Sequence, residues 1–263
     1  MRALIFDCDG VLADTERYGH LPAFNETFQE FDLPVHWSDE DYAKKVLIGG
    51  GKERMASVLS ADFLEQAGLP SDEDELREIL LMWHRRKTEI YTQLVAEGRM
   101  PARPGIMRIV QEALEAGFAL AVASTSAEPA VRAVLEHSVG IDMAGRFRVF
   151  AGDIVPAKKP APYIYLLALR ELGVSADEAI VIEDSENGLR AALEAGIRTV
   201  VTVSSYTQAE NFDGASLVVS SLGDPGGEST TVLSSTAGVV PDGFVTLGDL
   251  IDLFSTPTFE RKP

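Results

Sequence analysis

A single cysteine, Cys8, occurs in 263 residues, which excludes an internal disulfide and fits a reducing compartment. No apolar stretch approaches the roughly 20 residues that span a bilayer. Basic side chains are scarce, with 23 Lys and Arg against 41 Asp and Glu and a net charge of −18. Nucleic acid backbones are bound by basic surfaces, so this balance argues against a nucleic acid partner. It does not exclude a small anionic ligand. Remote charge is screened beyond about 8 Å at physiological salt, and a cation with a few local lysines can reverse the sign inside a cleft. The first apolar run begins at Ala3, which leaves no room for a leader peptide ahead of it. The expected location is the cytoplasm, or an organelle stroma if the chain is a processed precursor. There is no internal repeat.

What the chain does have is 46% hydrophobic residues, ample for a core, arranged in two kinds of sequence. Residues 1–15 read as strand and turn. From Glu16 to about Gly98 the pattern is helical, with Ser71-Asp72-Glu73-Asp74-Glu75 opening a helix whose acids suit the positive N-terminal dipole. Past Pro101–Gly105, short and almost wholly apolar runs alternate with helical ones: Phe118–Ala123, Val149–Ala151, Ala179–Ile182, Thr199–Val203 and Ser216–Val219. Apolar strands spaced by helices indicate a parallel sheet buried on both faces. The fold class is therefore α/β: a doubly wound, Rossmann-like parallel-sheet core from residues 1–15 and 103–263, with a helical cap, 16–102, inserted after the first strand. Gly226–Gly238 reads as a surface loop, and Phe244–Leu247 with Asp249–Phe254 as a last strand and helix.

In open parallel sheets ligands bind at the C-terminal strand ends, and four of those ends carry polar residues. Asp7 and Asp9 close the first run, before the helix-breaking Gly10. A D-x-D spacing puts both acids on one side of an extended chain and turns Cys8 to the other, where cysteine behaves as a small hydrophobe. Two converging acids suit a hard cation and a carboxylate nucleophile beside an acid/base. Ser124 and Thr125 follow the second run and can cradle a phosphate with nearby backbone N–H groups. Lys158-Lys159-Pro160 follows the third and supplies a point charge. Glu183-Asp184-Ser185 follows the fourth. Taken singly, the last three have ordinary readings as cap or solvated surface; all four in this order, each at a strand end, are hard to explain as solvated surface.

The segment Asp7–Glu16, with Lys159-Pro160 and Glu183-Asp184, resembles the motifs of the haloacid dehalogenase-like hydrolases, most of which are phosphatases. The resemblance implies that Asp7 is the nucleophile and Asp9 the acid/base, that Ser124, Thr125 and Lys159 bind phosphate, and that Asp7, Asp9, Asp184 and Glu183 hold Mg²⁺. Lys158 would be a surface neighbour. Dehalogenase relatives lack an acid at the position of Asp9, which points to phosphate chemistry.

In the helical stretch, Glu16, Arg17 and His20 lie near the hinge, with Glu16 and His20 on one face at i, i+4. The loop Gly49-Gly50-Gly51-Lys52-Glu53-Arg54 places two cations beside backbone that an anion can approach closely. His84-Arg85-Arg86-Lys87-Thr88 is a further cationic cluster, of which one member can turn inward. These stretches and the core motifs resemble the CbbY family over nearly the whole chain. Characterised CbbY proteins dephosphorylate xylulose 1,5-bisphosphate, an inhibitory by-product of Rubisco. By that resemblance Lys52 and Arg54 hold a distal phosphate, and Glu16, His20 and Lys87 contact the sugar or its phosphate. The alternative is a β-phosphoglucomutase-type phosphosugar mutase, which shares the first motif and cap residues matching His20 and Lys52. Either way the expectation is a monomer whose partner is a small phosphorylated sugar, with no nucleic acid and no membrane.

Overall fold

A computed structural model describes residues 1–48 and 50–255; Gly49 of the glycine run lies outside the described residues. The chain divides into two compact units, one of Met1–Asp14 with Pro101–Pro263 and one of Thr15–Met100. No helix among the described residues is long and apolar enough to cross a membrane.

The first unit is built on a seven-stranded sheet: β1 (Ala3–Phe6), β2 (Ala119–Ser124), β3 (Phe147–Ala151), β4 (Ala179–Glu183), β5 (Arg198–Thr202), β6 (Leu217–Val219) and β7 (Val232–Ser235). Their order is β3-β2-β1-β4-β5-β6-β7. All pairs are parallel except β6 with β7. β1 is central, with Ala3 opposite Ala119 on one side and Ala179 on the other. Every residue of β1 and β4 is buried, so both sheet faces are covered, as continuous apolar runs require. On one face Ala3, Ile5, Ala121, Ala123 and Val181 pack with Ile164, Tyr165, Ala168, Ala191 and Ala192 of the helices Tyr163–Leu172 and Glu186–Glu194. The helix Ile106–Glu115 packs on β2 and against the helices Glu128–Val139 and Leu247–Leu253.

Two expectations fail in this unit. Within Gly226–Gly238, Val232–Ser235 forms the antiparallel edge strand β7. Phe244–Leu247 is no strand: Val245 is buried and donates to the Leu222 carbonyl, and Thr246 caps the final helix.

The second unit holds the helices Leu21–Glu30, Asp39–Lys45, Gly51–Ala56, Ala61–Ala67 and Glu73–Ala96. Phe24, Phe28, Trp37 and Tyr42 form an aromatic core with centroid separations of 4.9–6.2 Å. The long helix is capped by Asp72, whose side chain accepts from the Asp74 and Glu75 N–H groups, and not by Ser71. Residues Glu16–His20 form a π-turn in which Leu21 N–H reaches the Glu16 carbonyl. Pro22 follows directly and has no N–H to offer the Tyr18 carbonyl, so the helix starts wide.

Candidate active site

β1 stops at Phe6, and the two acids lie on the turn beyond it. One further ladder bond, from Asp7 N–H to the Ile182 carbonyl at 2.9 Å, sets Asp7 beside the end of β4. The chain then turns at Gly10, whose φ of +83° is a left-handed conformation. A Cβ at Gly10 would fall 2.0 Å from Asp184 Oδ2, so only glycine lets this turn pass the second acid pair. Strict strand alternation therefore does not place the acids, because the strand has ended. Asp7 and Cys8 are buried, and Asp9 is half-buried.

Lys159 is the hub of the site. Its Nζ donates to Asp7 Oδ1 and Glu183 Oε1, each at 2.6 Å, and to the Ala123 carbonyl at 2.9 Å. Glu183 Oε1 also accepts from the Tyr165 hydroxyl at 2.6 Å. Its Oε2 accepts from Asp184 N–H, Ser185 N–H and Ser185 Oγ. Both Glu183 oxygens are thus bonded to protein donors, so its geometry is that of an anchor for Lys159 more than of a metal ligand. Asp9 Oδ2 accepts from Ser126 Oγ at 2.5 Å. Ser124 is buried and its Oγ accepts from Ser126 N–H at 3.1 Å; Thr125 is half-buried on the same turn. Lys158 points away to Asp153 at 2.9 Å on the surface.

The charge balance is unequal. Burial pushes the Asp7 carboxyl up to about 8 against the pull of Lys159, with Glu183 and Asp9 adding to the rise. Burial, then Glu183 and Asp7, likewise raise Asp184. Burial would raise Glu183 too, but Lys159 and the Tyr165 and Asp184 hydrogen bonds outweigh it and hold Glu183 low. The Lys159 side chain is only 7% exposed, yet Asp7 and Glu183 keep it protonated. Burial and the two flanking acids raise the Cys8 thiol well above its ordinary range, which removes it as a nucleophile. Carboxylate oxygens of Asp7, Glu183 and Asp184 lie within 4.8 Å of one another. Asp7 and Asp184, two buried carboxylates with Glu183 behind them, offer the oxygen donors that fit a hard divalent cation.

In the helical unit Glu16 is bound by Arg54 and Tyr42 and is also held charged by His20. Arg54 Nη1 donates to Glu16 Oε1 and Oε2 at 3.0 and 2.8 Å, and Tyr42 Oη donates to Glu16 Oε2 at 2.5 Å. Arg54 also bonds the Ile48 and Val46 carbonyls. Arg54, expected at a distal phosphate, is therefore held here by Glu16 and its own loop. Arg17 pairs with Asp39 at the surface. Lys87 is the inward member of its cluster: buried, with Nζ 2.7 Å from His20 Nδ1 and over the faces of Phe24 and Tyr91. The His20 ring stacks on Tyr91 at 4.1 Å. Arg86 instead pairs with Glu30. Lys52 is exposed, and the Glu53 carboxylate folds against Gly50, where a Cβ would meet it at 2.1 Å. Burial, Lys87 and Lys52 together lower His84 to about 4, with Glu53 opposing.

Sequence reasoning missed Ser126 as a partner of Asp9, Tyr165 behind Glu183, and Arg103. The Arg103 guanidinium donates to the carbonyls of Gly10, Thr202, Val203 and Ser220. Only the Arg-Pro-Gly punctuation at 103–105 hinted that this position was special.

Residues 1–196 match the family model described as haloacid dehalogenase-like hydrolase. A CBBY-like protein of Arabidopsis thaliana is 46% identical over 224 residues, covering 85% of this chain and 70% of that one. The plasmid-encoded CbbY of Cupriavidus necator is 44% identical, covering 86% and 87%. Crystal structures of Rhodobacter sphaeroides CbbY, one with phosphate and one of a variant with xylulose 1,5-bisphosphate, superpose with a TM-score of 0.72 at 41% identity, over 84% of this chain and 94% of theirs. With two thirds or more of each relative matched and the four motifs on adjoining strand ends, the chain belongs to the haloacid dehalogenase-like hydrolases, among the CbbY proteins.

Proposed function

We propose that this phosphatase hydrolyses xylulose 1,5-bisphosphate to xylulose 5-phosphate through a phosphoryl group carried on Asp7. The observation that supports it most is the unlike setting of two neighbouring acids. Asp7 is buried and bridged by Lys159, whereas Asp9 is half-buried and bonded by the Ser126 hydroxyl. Such a pair divides naturally into nucleophile and acid/base. An Asp7 oxygen attacks phosphorus as the P–O bond to the sugar breaks, and protonated Asp9 gives its proton to the departing alkoxide. Asp9 then takes a proton from water, whose oxygen attacks phosphorus and releases phosphate, restoring the Asp7 carboxylate. Lys159 and Ser124, with Thr125 beside it, neutralise and hold the non-bridging oxygens.

Asp7, Asp184 and the Asp9 backbone carbonyl would hold Mg²⁺, with Glu183 keeping Lys159 in place behind them. When bound, the ion would favour the ionised form of Asp7, which burial otherwise raises to about 8, and would supply charge neutralisation for the transferring phosphoryl group. Lys52, His20 and Lys87 supply cationic and polar groups suited to the sugar and its second phosphate, and Glu16 orients Arg54. The relative crystallised with xylulose 1,5-bisphosphate supports this choice of sugar. Since Rubisco by-products form only where Rubisco works, the cytoplasm or a plastid stroma is the compartment that fits.

A mutase differs in the acceptor, a sugar hydroxyl in place of water. The test is Mg²⁺-dependent phosphate release from xylulose 1,5-bisphosphate, xylulose 5-phosphate, ribulose 1,5-bisphosphate and glucose phosphates. We expect strong preference for the first, and none from a correctly folded Asp7→Asn variant. Isomerisation of a glucose phosphate without net phosphate release would instead select the mutase, and activity in Asp7→Asn would remove Asp7 as nucleophile.

A further inference from the structure

The chemistry above makes no use of Val203-Ser204-Ser205, the segment that leaves the C-terminal end of β5. Its three residues bind three different parts of the sheet unit. The Val203 carbonyl accepts from Arg103 Nη2 at 2.7 Å. The Ser204 side chain faces the Asp184 carboxylate and favours its charged form. Ser205 Oγ donates to Asp14 Oδ2. Asp14 and Arg103 flank the two places where the chain leaves and re-enters this unit, after Asp14 and before Pro101. There Ala13 bridges antiparallel to Ala102, and Arg103 N–H donates to the Leu12 carbonyl at 2.9 Å.

The segment is fixed from within as well. Thr207 Oγ1 accepts from Ser204 N–H at 2.9 Å and lies 3.1 Å from Ser204 Oγ, and both residues are buried. Asp14 Oδ1 is buried with no partner, so the Ser205 hydroxyl is the hydrogen bond that orients that carboxylate. On the opposite side Asp184 Oδ2 lies against Gly10, whose carbonyl Arg103 also holds. One guanidinium thus braces both walls of the slot in which Asp184 sits.

We propose that Arg103, Ser205 and Thr207 are positioning residues for Asp184, setting the direction of its carboxylate through Ser204 on one side and Gly10 on the other. The proposal rests on the reading of Asp184 as a metal ligand. Outer partners that orient a ligand typically contribute tenfold to a hundredfold in metal affinity, whereas a merely structural role would lower stability and leave the affinity of the folded protein alone.

The experiment is calorimetric titration of the full chain with Mg²⁺ alone, alongside Ser205→Ala, Thr207→Val and Arg103→Lys. Ser205→Ala and Thr207→Val keep the buried Arg103 network and report even if Arg103→Lys fails to fold. Mg²⁺ binding weakened about tenfold in both, with circular dichroism unchanged, is the expected result. Binding equal to the parent in Ser205→Ala and Thr207→Val overturns the positioning role while leaving the phosphatase reading intact. A parent that binds no Mg²⁺, or an Asp184→Asn variant that binds it as well as the parent does, removes the metal reading and this inference with it.

Discussion

Glu16 shows how one carboxylate can organise a helical unit. Its side chain is 20% exposed and that of Arg54 12%. Burial works against its charge, but His20, Arg54 and the Arg54 and Tyr42 hydrogen bonds hold Glu16 below its ordinary 4.5. A depressed acid contributes stability that is present above its unfolded value and is lost as pH falls through its folded one. The Thr15–Met100 unit should therefore lose stability on acidification below about pH 4.5. Glu16→Gln leaves Arg54 without its counter-charge, at a cost of about 3 kcal/mol at neutral pH, and should flatten that acid limb. Thermal unfolding followed from pH 7 to pH 3 checks both; a parallel acid limb in the variant would assign the pH response to other groups. At this scale Asp7, Lys159 and Asp184 were legible because each stands in a short motif at a strand end. Ser126 and Tyr165 were not, because their partners are remote in sequence: Ser126 meets Asp9 across 117 positions and Tyr165 meets Glu183 on another element.

Among the elements, the helix Glu186–Glu194 is bound to the chemistry through one missing side chain. Ser185 caps it, accepting from Gly188 N–H at 3.2 Å. A Cβ on Gly188 would lie 1.8 Å from Glu183 Oε1. Helix propensity favours Ala over Gly by about 1 kcal/mol, but the collision would displace the carboxylate that anchors Lys159, and displacement decides the outcome. Gly188→Ala should reduce kcat by about a hundredfold, the typical cost of a 1 Å misplacement. Steady-state phosphate release measures it, and parental kcat would mean that Glu183 does not position Lys159. The buried parallel strands were readable because apolar runs alternate with helices, whereas their order in the sheet is a tertiary choice. β7 was hidden because Thr231-Val232-Leu233-Ser234-Ser235 sits in a Gly/Ser/Thr-rich context, and its pairing to β6 is a tertiary choice. Phe244–Leu247 misled for the converse reason: Val245 is buried without joining a ladder. The π-turn at Glu16–His20 follows from Pro22, yet the effect of that proline on the preceding turn is not a periodicity signal.

For the whole molecule, the sheet unit is discontinuous in sequence while Thr15–Met100 is contiguous. The central strand, Ala3–Phe6, finds its neighbours only at Ala119 and Ala179. During synthesis, at about 5–20 residues per second, it must therefore wait through the entire helical insertion before either flank exists. Long-range parallel pairing is slow for the same reason, since loop closure precedes the contacts that reward it. Ribosome-bound chains stalled after Ala144 should gain protease resistance within Thr15–Met100 while Ala3–Phe6 stays susceptible. Simultaneous protection of both would show that the sheet nucleates without β4. Asp7 is thus among the first residues made and among the last placed: its backbone partner is Ile182 and its lysine is anchored by Glu183. With the role proposed for Asp7, a nascent chain carries its nucleophile unarmed until β4 has emerged, and the growing polypeptide would not attack a phosphate ester prematurely.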